Sequence, residues 1–559
     1  MTDIRFDTYY RYEAITQFLH DWAATYPNLC RVESMGQSYE GRDIWVMTVT
    51  NFTTGPDNEK PAYWVDGNIH ATEVSPSSAA LYLINKLLTQ YGQDERITYA
   101  LDSRVFYVAP RINPDGAEWA LADIPKFVRS STKPYPRMDA LDGLHQEDVD
   151  GDGRILQMRL KDPNGIWKIH PDEPRLMMPR DPDEPPGGDF YRILPEGMIQ
   201  NYDGALINMA PSVQGLDLNR QFPVFWEPTQ PGAGQFPGSE PEPFALTKFI
   251  VEHPNITGSI SFHTFSGVHL RAPTKGSEEG MPTNDLRTFK RLGKKATEMT
   301  GYPAISIFHN FKYDPKEYIK GTFSDWMYEY RGVYGWTTEI WNLQRKAGVE
   351  VPDKPLDWFR DHPIEDDFAI LKWNDEKLDG QGYVDWYEFD HPQLGKIELG
   401  GWNFMYTWRN PPQSVLEDEI APLADFAIYA GLVSPKLELH NVDVQSHGDA
   451  HRIRLVWQNT GWLPTYVTKQ AEAMKVVRPL EVDITLPEGA TLVAGQAKTM
   501  LGQLEGRDQK PAMLTFGADA TSDRAKVEWV VQAKAGTVVE ITAVHERAGT
   551  VRTTVTLGD

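Results

Sequence analysis

A histidine and a glutamate stand close together between a predicted strand and a predicted helix. The stretch "WVDGNIHATEV" is an apolar run that turns at Asp66 and then presents His70 and Glu73, three residues apart. An apolar-periodic segment follows, with Ser75 as its expected N-cap and Pro76 at the first helical position. Ligands of open α/β sheets bind outside the carboxyl ends of strands. Imidazole and carboxylate are zinc ligands, and a catalytic zinc uses three protein ligands and a water. Alone the pair is weak evidence, because surface residues often have this spacing.

The best candidate for a third ligand is His263, in "SISFHTFSG". It ends an apolar strand and precedes small polar residues, so we expect it at the rim of a sheet. The ordinary alternative for a single histidine is a core position satisfied by a hydrogen bond. Glu339 lies in another apolar strand, "TTEIW", where a carboxylate is costly to bury unless it is paired or catalytic. A general base that deprotonates a water needs such a setting.

Three polar residues alternate with apolar ones in "GLDLNRQF", namely Asp217, Asn219 and Arg220. A surface salt bridge is the simplest explanation. An amide beside a guanidinium is also how a carboxylate is recognised, because the guanidinium offers a two-pronged donor. Asp217 is suited to a different task, which is to accept a hydrogen bond from a metal-binding histidine and orient it.

These candidates lie in a chain that divides into two regions. Strand and helix patterns alternate from residue 8 to about 130, which predicts an α/β sheet covered on both faces. The Pro-, Asp- and Gly-rich segment 132–214 is predicted to be a long irregular insertion, and 350–412 is a second insertion with weak periodicity. We therefore expect a catalytic domain over residues 1–433. Short alternating strands over residues 434–559 predict a β-sandwich domain.

Composition limits the classes of function. The chain has 559 residues and a formal net charge of −24, which argues against binding of nucleic acid or anionic lipid. A single cysteine, Cys30, rules out a disulfide framework. No apolar run is long enough to span a membrane. The N-terminal stretch lacks the pattern of a signal peptide, so we expect a cytoplasmic protein, with leaderless export left open.

Five motifs in order resemble one known family. His70-x-x-Glu73, "NPDG", "DLNR", "SFHTFSG" and "TTEIW" look like those of the zinc metallocarboxypeptidases, the funnelin or carboxypeptidase A/B type. The resemblance covers roughly residues 8–430, interrupted by the insertions. It implies a mixed eight-stranded sheet with helices on both faces. The implied activity is removal of the C-terminal residue from peptides that have a free terminal carboxylate.

The resemblance also implies roles at the metal. His70, Glu73 and His263 would bind one zinc ion per chain, and Asp217 would support His70. Glu339 would be the general base, taking a proton from the attacking water and returning it to the leaving amine.

Further roles concern the substrate. Asn219 and Arg220 would grip the terminal carboxylate, and Arg129, in "KFVRSS", would polarise the scissile carbonyl. Tyr318, in "PKEYIKGTFSDW", would close over the substrate, although it stands one residue nearer to the Asp-Trp pair than the family pattern has it.

The chain departs from the family pattern at two positions. Thr72 replaces an arginine, which leaves the subsites upstream of the cut undefined. Ser324, before the Asp-Trp pair, is neither an acid nor a bulky apolar residue, so the preferred C-terminal residue is not predicted. If Glu339 is not the base, Glu398 is the alternative.

A second metal candidate lies in the first insertion. In "DVDGDGRILQMR", Asp148, Asp150 and Asp152 fit the first positions of a calcium loop. Arg159 stands where the loop requires a glutamate, so an EF-hand is not expected. A shorter calcium loop and a solvated acidic turn are both open.

Three functions are compatible with these features. The first is a zinc carboxypeptidase acting on peptides. The second is a cell-wall peptidase or amidase that acts on muropeptides or other acylated amino acids with the same machinery. The third is a binding module that has kept the fold without activity.

Overall fold

The computed structural model describes residues 4–314, 316–509 and 519–558. In chain order its strands are β1 (Cys30–Gln37), β2 (Asp43–Val49), β3 (Ala62–Gly67), β4 (Val105–Ala109), β5 (Gly143–Gln146), β6 (Gln157–Lys161), β7 (Trp167–Ile169), β8 (Met177–Pro179), β9 (Tyr191–Pro195), β10 (Gly197–Gln200), β11 (Ile256–Thr264), β12 (Val268–Arg271), β13 (Ala304–Ser306), β14 (Tyr334–Ile340), β15 (Tyr383–His391), β16 (Gly395–Trp402), β17 (Leu437–His447), β18 (Ala450–Asn459), β19 (Glu481–Thr485), β20 (Thr491–Ala494), β21 (Lys498–Met500), β22 (Arg524–Gln532), β23 (Val538–His545) and β24 (Gly549–Thr556).

The α-helices, again in chain order, are α1 (Tyr12–Thr25), α2 (Ser75–Gln90), α3 (Glu95–Ser103), α4 (Pro114–Ala120), α5 (Pro241–Glu252), α6 (Thr283–Thr300), α7 (Ile307–Asn310), α8 (Phe323–Glu329), α9 (Leu343–Lys346), α10 (Pro355–Trp358), α11 (Ile364–Leu378), α12 (Leu416–Leu432) and α13 (Lys469–Met474).

A mixed eight-stranded sheet forms the centre of the first region, with the strand order β1-β2-β4-β3-β11-β14-β12-β13. Its inner strands β4, β3, β11 and β14 run parallel to one another. Strands β3 and β11 are buried along their whole length, as expected where other elements cover both faces of a sheet. This confirms the fold class predicted for the region.

Two long helices pack against the inner strands. Helices α2 and α12 contact each other and also β3 and β11, and α2 buries Leu83 and Leu87 completely. A glycine in α12 permits this approach, because a Cβ at Gly431 would lie 2.6 Å from the ring of Phe106. The close packing holds the carboxyl ends of the inner strands in a fixed arrangement.

The two insertions fold together, which the sequence did not predict. Strands β15 and β16 of the second insertion join strands of the first in a six-stranded sheet of order β15-β16-β6-β9-β7-β8. Arg159 and Glu398 pair across the join, with Nε 2.7 Å from Oε2, although they are 239 residues apart in the chain. The prediction that 132–214 is irregular was therefore wrong. The cause is that these strands are short and lie between Pro-rich turns, and that β6 completes its pairing only with β16 of the other insertion.

The last part of the chain is the predicted all-β sandwich. Two four-stranded sheets, of order β17-β18-β22-β20 and β21-β19-β23-β24, enclose a core that contains Trp457 and Trp529.

Buried polar contacts attach the sandwich to the first region. Arg547 is fully buried and donates hydrogen bonds to the carbonyl oxygens of Gly332 and Tyr466, each at 3.1 Å. Asp285 on α6 accepts the backbone N–H groups of Lys469, at 2.7 Å, and Gln470, at 3.0 Å. Because buried polar groups are costly to leave unpaired, these contacts hold the two regions in one arrangement.

Within the part of the chain that the structure describes, no helix combines the length and the apolar character that crossing a bilayer requires.

Candidate active site

Three inner strands bring the predicted catalytic residues to one edge of the sheet. His70 and Glu73 follow the end of β3, and His263 lies one residue before the end of β11. Glu339 on β14 is the direct cross-strand partner of His263. Because the strands are parallel, their carboxyl ends meet, and these side chains line one cavity of about 440 Å³.

His70, Glu73 and His263 form a compact, buried cluster of possible ligands. The Nδ1 atom of His70 is 3.0 Å from Oε1 of Glu73, and the Nδ1 atom of His263 is 3.1 Å from Oε2. The two Nδ1 atoms lie 3.1 Å apart. Ligand atoms around a tetrahedral zinc, with bonds of about 2.0–2.1 Å, are separated by about 3.3 Å. The spacing therefore suits one zinc ion.

The protonation of His70 also suits a metal. Its Nε2 lies 3.1 Å from Oδ1 of Asp217. Burial would raise the pKa of Asp217, but Arg129, Arg220 and His70 together hold that pKa well below its ordinary value. An ionised Asp217 only accepts hydrogen bonds, so it favours the neutral tautomer of His70 with the proton on Nε2, which leaves Nδ1 available to a metal.

His263 is oriented by a chain of two further residues. Its Nε2 lies 3.3 Å from Oγ of Ser261, which donates a hydrogen bond of 2.6 Å to buried Asp66. Because the serine hydrogen is engaged by Asp66, the serine oxygen can accept from Nε2, and this tautomer of neutral His263 leaves Nδ1 available to a metal. Two imidazole nitrogens and a carboxylate lying this close together form a donor set that fits zinc. The i, i+2 spacing of Ser261 and His263 on a strand was the sequence signal for this arrangement.

Asn410, from the end of the second insertion, fixes the loop that carries Glu73. Its Oδ1 accepts the backbone N–H groups of Val74 and Ser75, both at 2.9 Å, and its Nδ2 donates to the carbonyl oxygen of Thr72 at 2.8 Å. The expectation that Ser75 caps α2 was wrong, because Ser75 is already helical and the distant Asn410 satisfies the free N–H groups instead.

Three of the four residues predicted to contact substrate also line the cavity. Arg129 is anchored by Asp217, with Nε 3.0 Å from Oδ2, and its Nη1 lies 3.3 Å from Oε1 of Glu73. Asn219 accepts the N–H of Phe323 through Oδ1 at 2.9 Å, and Arg220 donates to the carbonyl oxygen of Asn219 at 2.7 Å. The cavity thus holds a fixed amide and two fixed guanidinium groups, which can bind a carboxylate and a carbonyl oxygen.

Glu339 has the environment expected of a general base. Its side chain is buried at the cavity wall, and within the described residues no group donates a hydrogen bond to its carboxylate. Burial is the main cause that raises the pKa of Glu339 to about 7, and the charge of Glu73 adds to it. A bound dication would stabilise the ionised form and lower this pKa.

The structure does not place Tyr318 at the cavity. Ile319 lines the cavity, and the ring of Tyr318 instead lies 5.0 Å from the Lys320 ammonium. Neighbouring residues of an extended segment point to opposite sides, so only one of the pair can face inward. Tyr313, which the sequence did not single out, is the tyrosine that lines the cavity. The positive charge of Arg129 is among the charges that act on the pKa of its hydroxyl.

Arg409 is a second residue that no motif indicated. Its Nη1 lies 3.6 Å from Oε1 of Glu73 and 3.5 Å from the carbonyl oxygen of Thr264. It lines the cavity although it is far in sequence from every motif, because the chain returns to the site after the second insertion.

The acidic loop of the first insertion lies outside this cavity. Asp148 and Asp150 cluster with Glu196, whereas Asp152 forms an ion pair with Arg154. Backbone N–H groups already donate to the carboxylates of Asp148, Asp150 and Glu196, so of the two possibilities left open, calcium is not supported.

The alternative base, Glu398, is likewise remote from the zinc cluster. Both of its oxygens are bonded to the guanidinium of Arg159 in the sheet of the insertions. It is therefore not placed to act as the base.

A family model agrees with this fold and site. The model described as "Zinc carboxypeptidase" matches residues 15–152 and 194–356, which make up more than half of the chain. The protein therefore belongs to the zinc carboxypeptidase family. Residues 436–556 match a second model, described as a domain of unknown function (DUF8731).

Individual relatives are similar over part of their length. Carboxypeptidase B of Astacus astacus is 31% identical over 166 residues, which are 30% of this chain and 46% of that protein. Carboxypeptidase A1 of Rattus norvegicus is 24% identical over 334 residues, 60% of this chain and 62% of that protein. The chain thus spans less than two thirds of these curated relatives.

Solved structures also match part of the chain. Thrombin activatable fibrinolysis inhibitor has a TM-score of 0.43 at 16% identity, with 76% of this chain and 74% of that chain covered. Carboxypeptidase A from Helicoverpa armigera has a TM-score of 0.41 at 18% identity, with 67% of this chain and 74% of that chain covered.

Proposed function

We propose that the protein is a zinc-dependent carboxypeptidase that hydrolyses the C-terminal residue from peptides with a free terminal carboxylate. The observation that carries the proposal is that one cavity combines a zinc-type ligand cluster, a buried carboxylate and a fixed Asn-Arg pair. The ligand cluster and Glu339 serve hydrolysis, and Asn219 with Arg220 serves recognition of a chain end.

The chemistry of the proposed reaction is divided among a few residues. Zinc held by His70, Glu73 and His263 would supply a Lewis acid and a water of lowered pKa. Glu339 accepts the proton of the attacking water and delivers it to the leaving amine, as its raised pKa allows. Arg129 donates hydrogen bonds to the carbonyl oxygen as negative charge develops there.

Recognition of the terminal carboxylate positions the bond that is cut. Arg220 is buried, and its Nη2 lies 3.7 Å from Oδ2 of Asp217, so its guanidinium is fixed before substrate arrives. Asn219 is fixed by its bond to the Phe323 N–H. Groups held in place lose little conformational entropy on binding and convert binding into orientation of the reacting carbonyl. In this proposal Tyr313 covers the bound carboxylate end.

The lining of the cavity favours an apolar C-terminal side chain. Leu270, Ile307 and Phe311 belong to one apolar cluster at the cavity, and Ser324 is the buried, uncharged residue beside them. A charged side chain would lose its hydration here without a partner, which is costly. We therefore propose a preference for aliphatic and aromatic residues over basic and acidic ones.

Mass spectrometry of a mixed L-peptide library, with and without a zinc chelator, tests the proposal. We expect chelator-sensitive loss of single C-terminal residues, with Leu, Ile, Met and Phe removed at least tenfold faster than Lys or Asp. Release confined to D-residues or isopeptide bonds would contradict it and favour a cell-wall peptidase or amidase. Release of internal fragments would contradict any role as a carboxypeptidase.

A further inference from the structure

A second concave surface adjoins the catalytic cavity. We define the aromatic groove by six residues that line it, namely Phe265, Trp358, Phe359, Trp402, Phe404 and Trp408; its volume is about 540 Å³. Phe265 and Phe359 line both the aromatic groove and the catalytic cavity, so the two spaces lie side by side.

The two insertions build this groove together. Leu156 and Ile193 come from the first insertion, and Trp358 and Trp402 come from the second. The unpredicted sheet that joins the insertions therefore forms one wall beside the active site.

The aromatic rings are held in place yet partly open to solvent. Trp358 and Trp408 are buried, with ring centroids 5.9 Å apart, and Trp408 also lies 6.1 Å from the ring of Phe359. In contrast Phe359 is 42% exposed and Phe404 is 41% exposed. Exposed aromatic rings on a rigid, concave support are typical of binding surfaces rather than of a core.

Arg409 stands at the junction of the two spaces. Its guanidinium carbon lies 5.1 Å from the ring centroid of Phe265 and 5.4 Å from that of Phe404. Its Nε is buried and has no hydrogen-bond acceptor among the described residues, whereas its Nη1 lies 3.5 Å from the carbonyl oxygen of Thr264 and 3.6 Å from Oε1 of Glu73. Such an undersatisfied donor is suited to receive a carbonyl oxygen of a bound chain.

We infer that the aromatic groove binds the part of the peptide substrate upstream of the bond that is cut, with an aromatic or large aliphatic side chain on Phe359 and Phe404. This inference rests on the proposed carboxypeptidase function. The adjacency of the two spaces determines the occupant in this proposal, because a peptide whose C-terminus lies at Arg220 must leave the catalytic cavity, and Arg409 with Phe265 leads from that cavity to the groove. The exposed rings belong to phenylalanines and the tryptophans are largely covered, which favours apolar side chains over sugar rings.

The test compares a short and a long substrate in the full-length, zinc-loaded protein. The short substrate is an acetylated dipeptide, and the long ones extend it upstream by two residues that are either Phe or Ala. We expect the Phe extension to raise kcat/KM roughly tenfold over the Ala extension, mainly through KM, and Phe404→Ala to abolish this gain. Phe404→Tyr, which keeps the ring, should retain it, and cleavage of the short substrate should be the same in all variants.

A matched control is Phe244→Ala, since Phe244 is also an exposed phenylalanine, at 60%, but lies on α5 outside the groove. It should leave both substrates unaffected. Equal kcat/KM for Phe and Ala extensions would overturn the inference, as would equal loss on short and long substrates in Phe404→Ala. A gain only for substrates that carry a sugar upstream would overturn it too and assign the groove to a glycan. Cleavage of neither short nor long peptide would instead refute the carboxypeptidase function itself.

Discussion

Replacement of Asp217 by asparagine tests how the ligand cluster is prepared for zinc. The carboxylate accepts from Nε2 of His70 at 3.1 Å and from Nε of Arg129 at 3.0 Å. Asparagine has the same shape but no charge, and its amide can turn either its oxygen or its nitrogen toward His70. In the second orientation the histidine proton moves to Nδ1 and blocks the lone pair that a metal needs.

The expected loss of zinc affinity follows from the position of Asp217, which is hydrogen-bonded to the ligand His70 and does not itself bind the metal. Loss of such an outer hydrogen bond typically lowers metal affinity by about 10–100-fold, and loss of the charge places Asp217→Asn toward the upper end, about 2.7 kcal/mol. The metal-free protein should also be less stable. Because the Arg129 side chain is 40% exposed, water screens its lost ion pair, so we expect about 1–2 kcal/mol rather than the 3–5 of a fully buried pair.

Competition with a chromophoric chelator measures the zinc affinity, and urea unfolding of the metal-free protein measures the stability. Asp285→Asn is the control, because Asp285 is an equally buried aspartate that contacts the sandwich instead of the ligands. It should lower stability and leave zinc affinity unchanged. A zinc affinity of Asp217→Asn within threefold of the wild type would refute the reasoning about His70.

Three other predictions follow from the structure. Tyr313→Phe should lower kcat/KM on a good peptide about tenfold in steady-state kinetics. Tyr318→Phe should change kcat/KM less than twofold, because of the two tyrosines only Tyr313 lines the cavity. A larger loss in Tyr318→Phe than in Tyr313→Phe would instead support Tyr318 as the tyrosine that covers the substrate. Burial lowers the pKa of His269 to about 3, whereas the unfolded chain titrates near 6.5. Between these values only the unfolded state binds the proton, so the free energy of unfolding falls by about 2 kcal/mol as the pH drops from 7 to 5. In urea unfolding, the loss of stability of His269→Gln over this pH range should therefore be smaller than that of the wild type by about 2 kcal/mol. An equal loss in both proteins would count against a buried neutral histidine. Arg547→Ala should destabilise by about 3 kcal/mol and give two calorimetric transitions where we expect one in the wild type, because it removes buried, charge-assisted hydrogen bonds between the sandwich and the first region, whereas Arg552→Ala at an exposed pair should cost under about 0.5 kcal/mol.

Local patterns were sufficient to predict the inner sheet and the grouping of His70, Glu73 and His263 at its edge. A buried strand that ends in a polar residue produces a strong signal, and His70, His263 and Glu339 each follow or end such a strand. Their meeting then follows from the parallel arrangement, since the carboxyl ends of parallel strands share one edge.

The remaining features depend on contacts between distant segments. Arg159 finds Glu398 only when both insertions are folded, so neither insertion shows a clear period by itself. Asn410 replaces Ser75 as the cap of α2 from 335 residues away. Arg409 reaches the cavity through the same return of the chain. Such positions carry no local signature, because tertiary packing rather than local propensity selects them.

Glu339→Gln tests most directly whether this site hydrolyses the C-terminal peptide bond with Glu339 as the general base. Gln keeps the shape of the side chain but does not accept the proton of a water, and Glu339 is not a zinc-type ligand in the cluster. The measurement is release of the C-terminal residue from an apolar-ending L-peptide, followed by mass spectrometry, with zinc content determined in parallel. We expect one zinc per chain in both proteins, single-residue release by the wild type, and a rate about 10²–10⁴-fold lower in the variant. Release by the variant at the wild-type rate, with equal zinc content, would contradict the assignment of Glu339 as the general base.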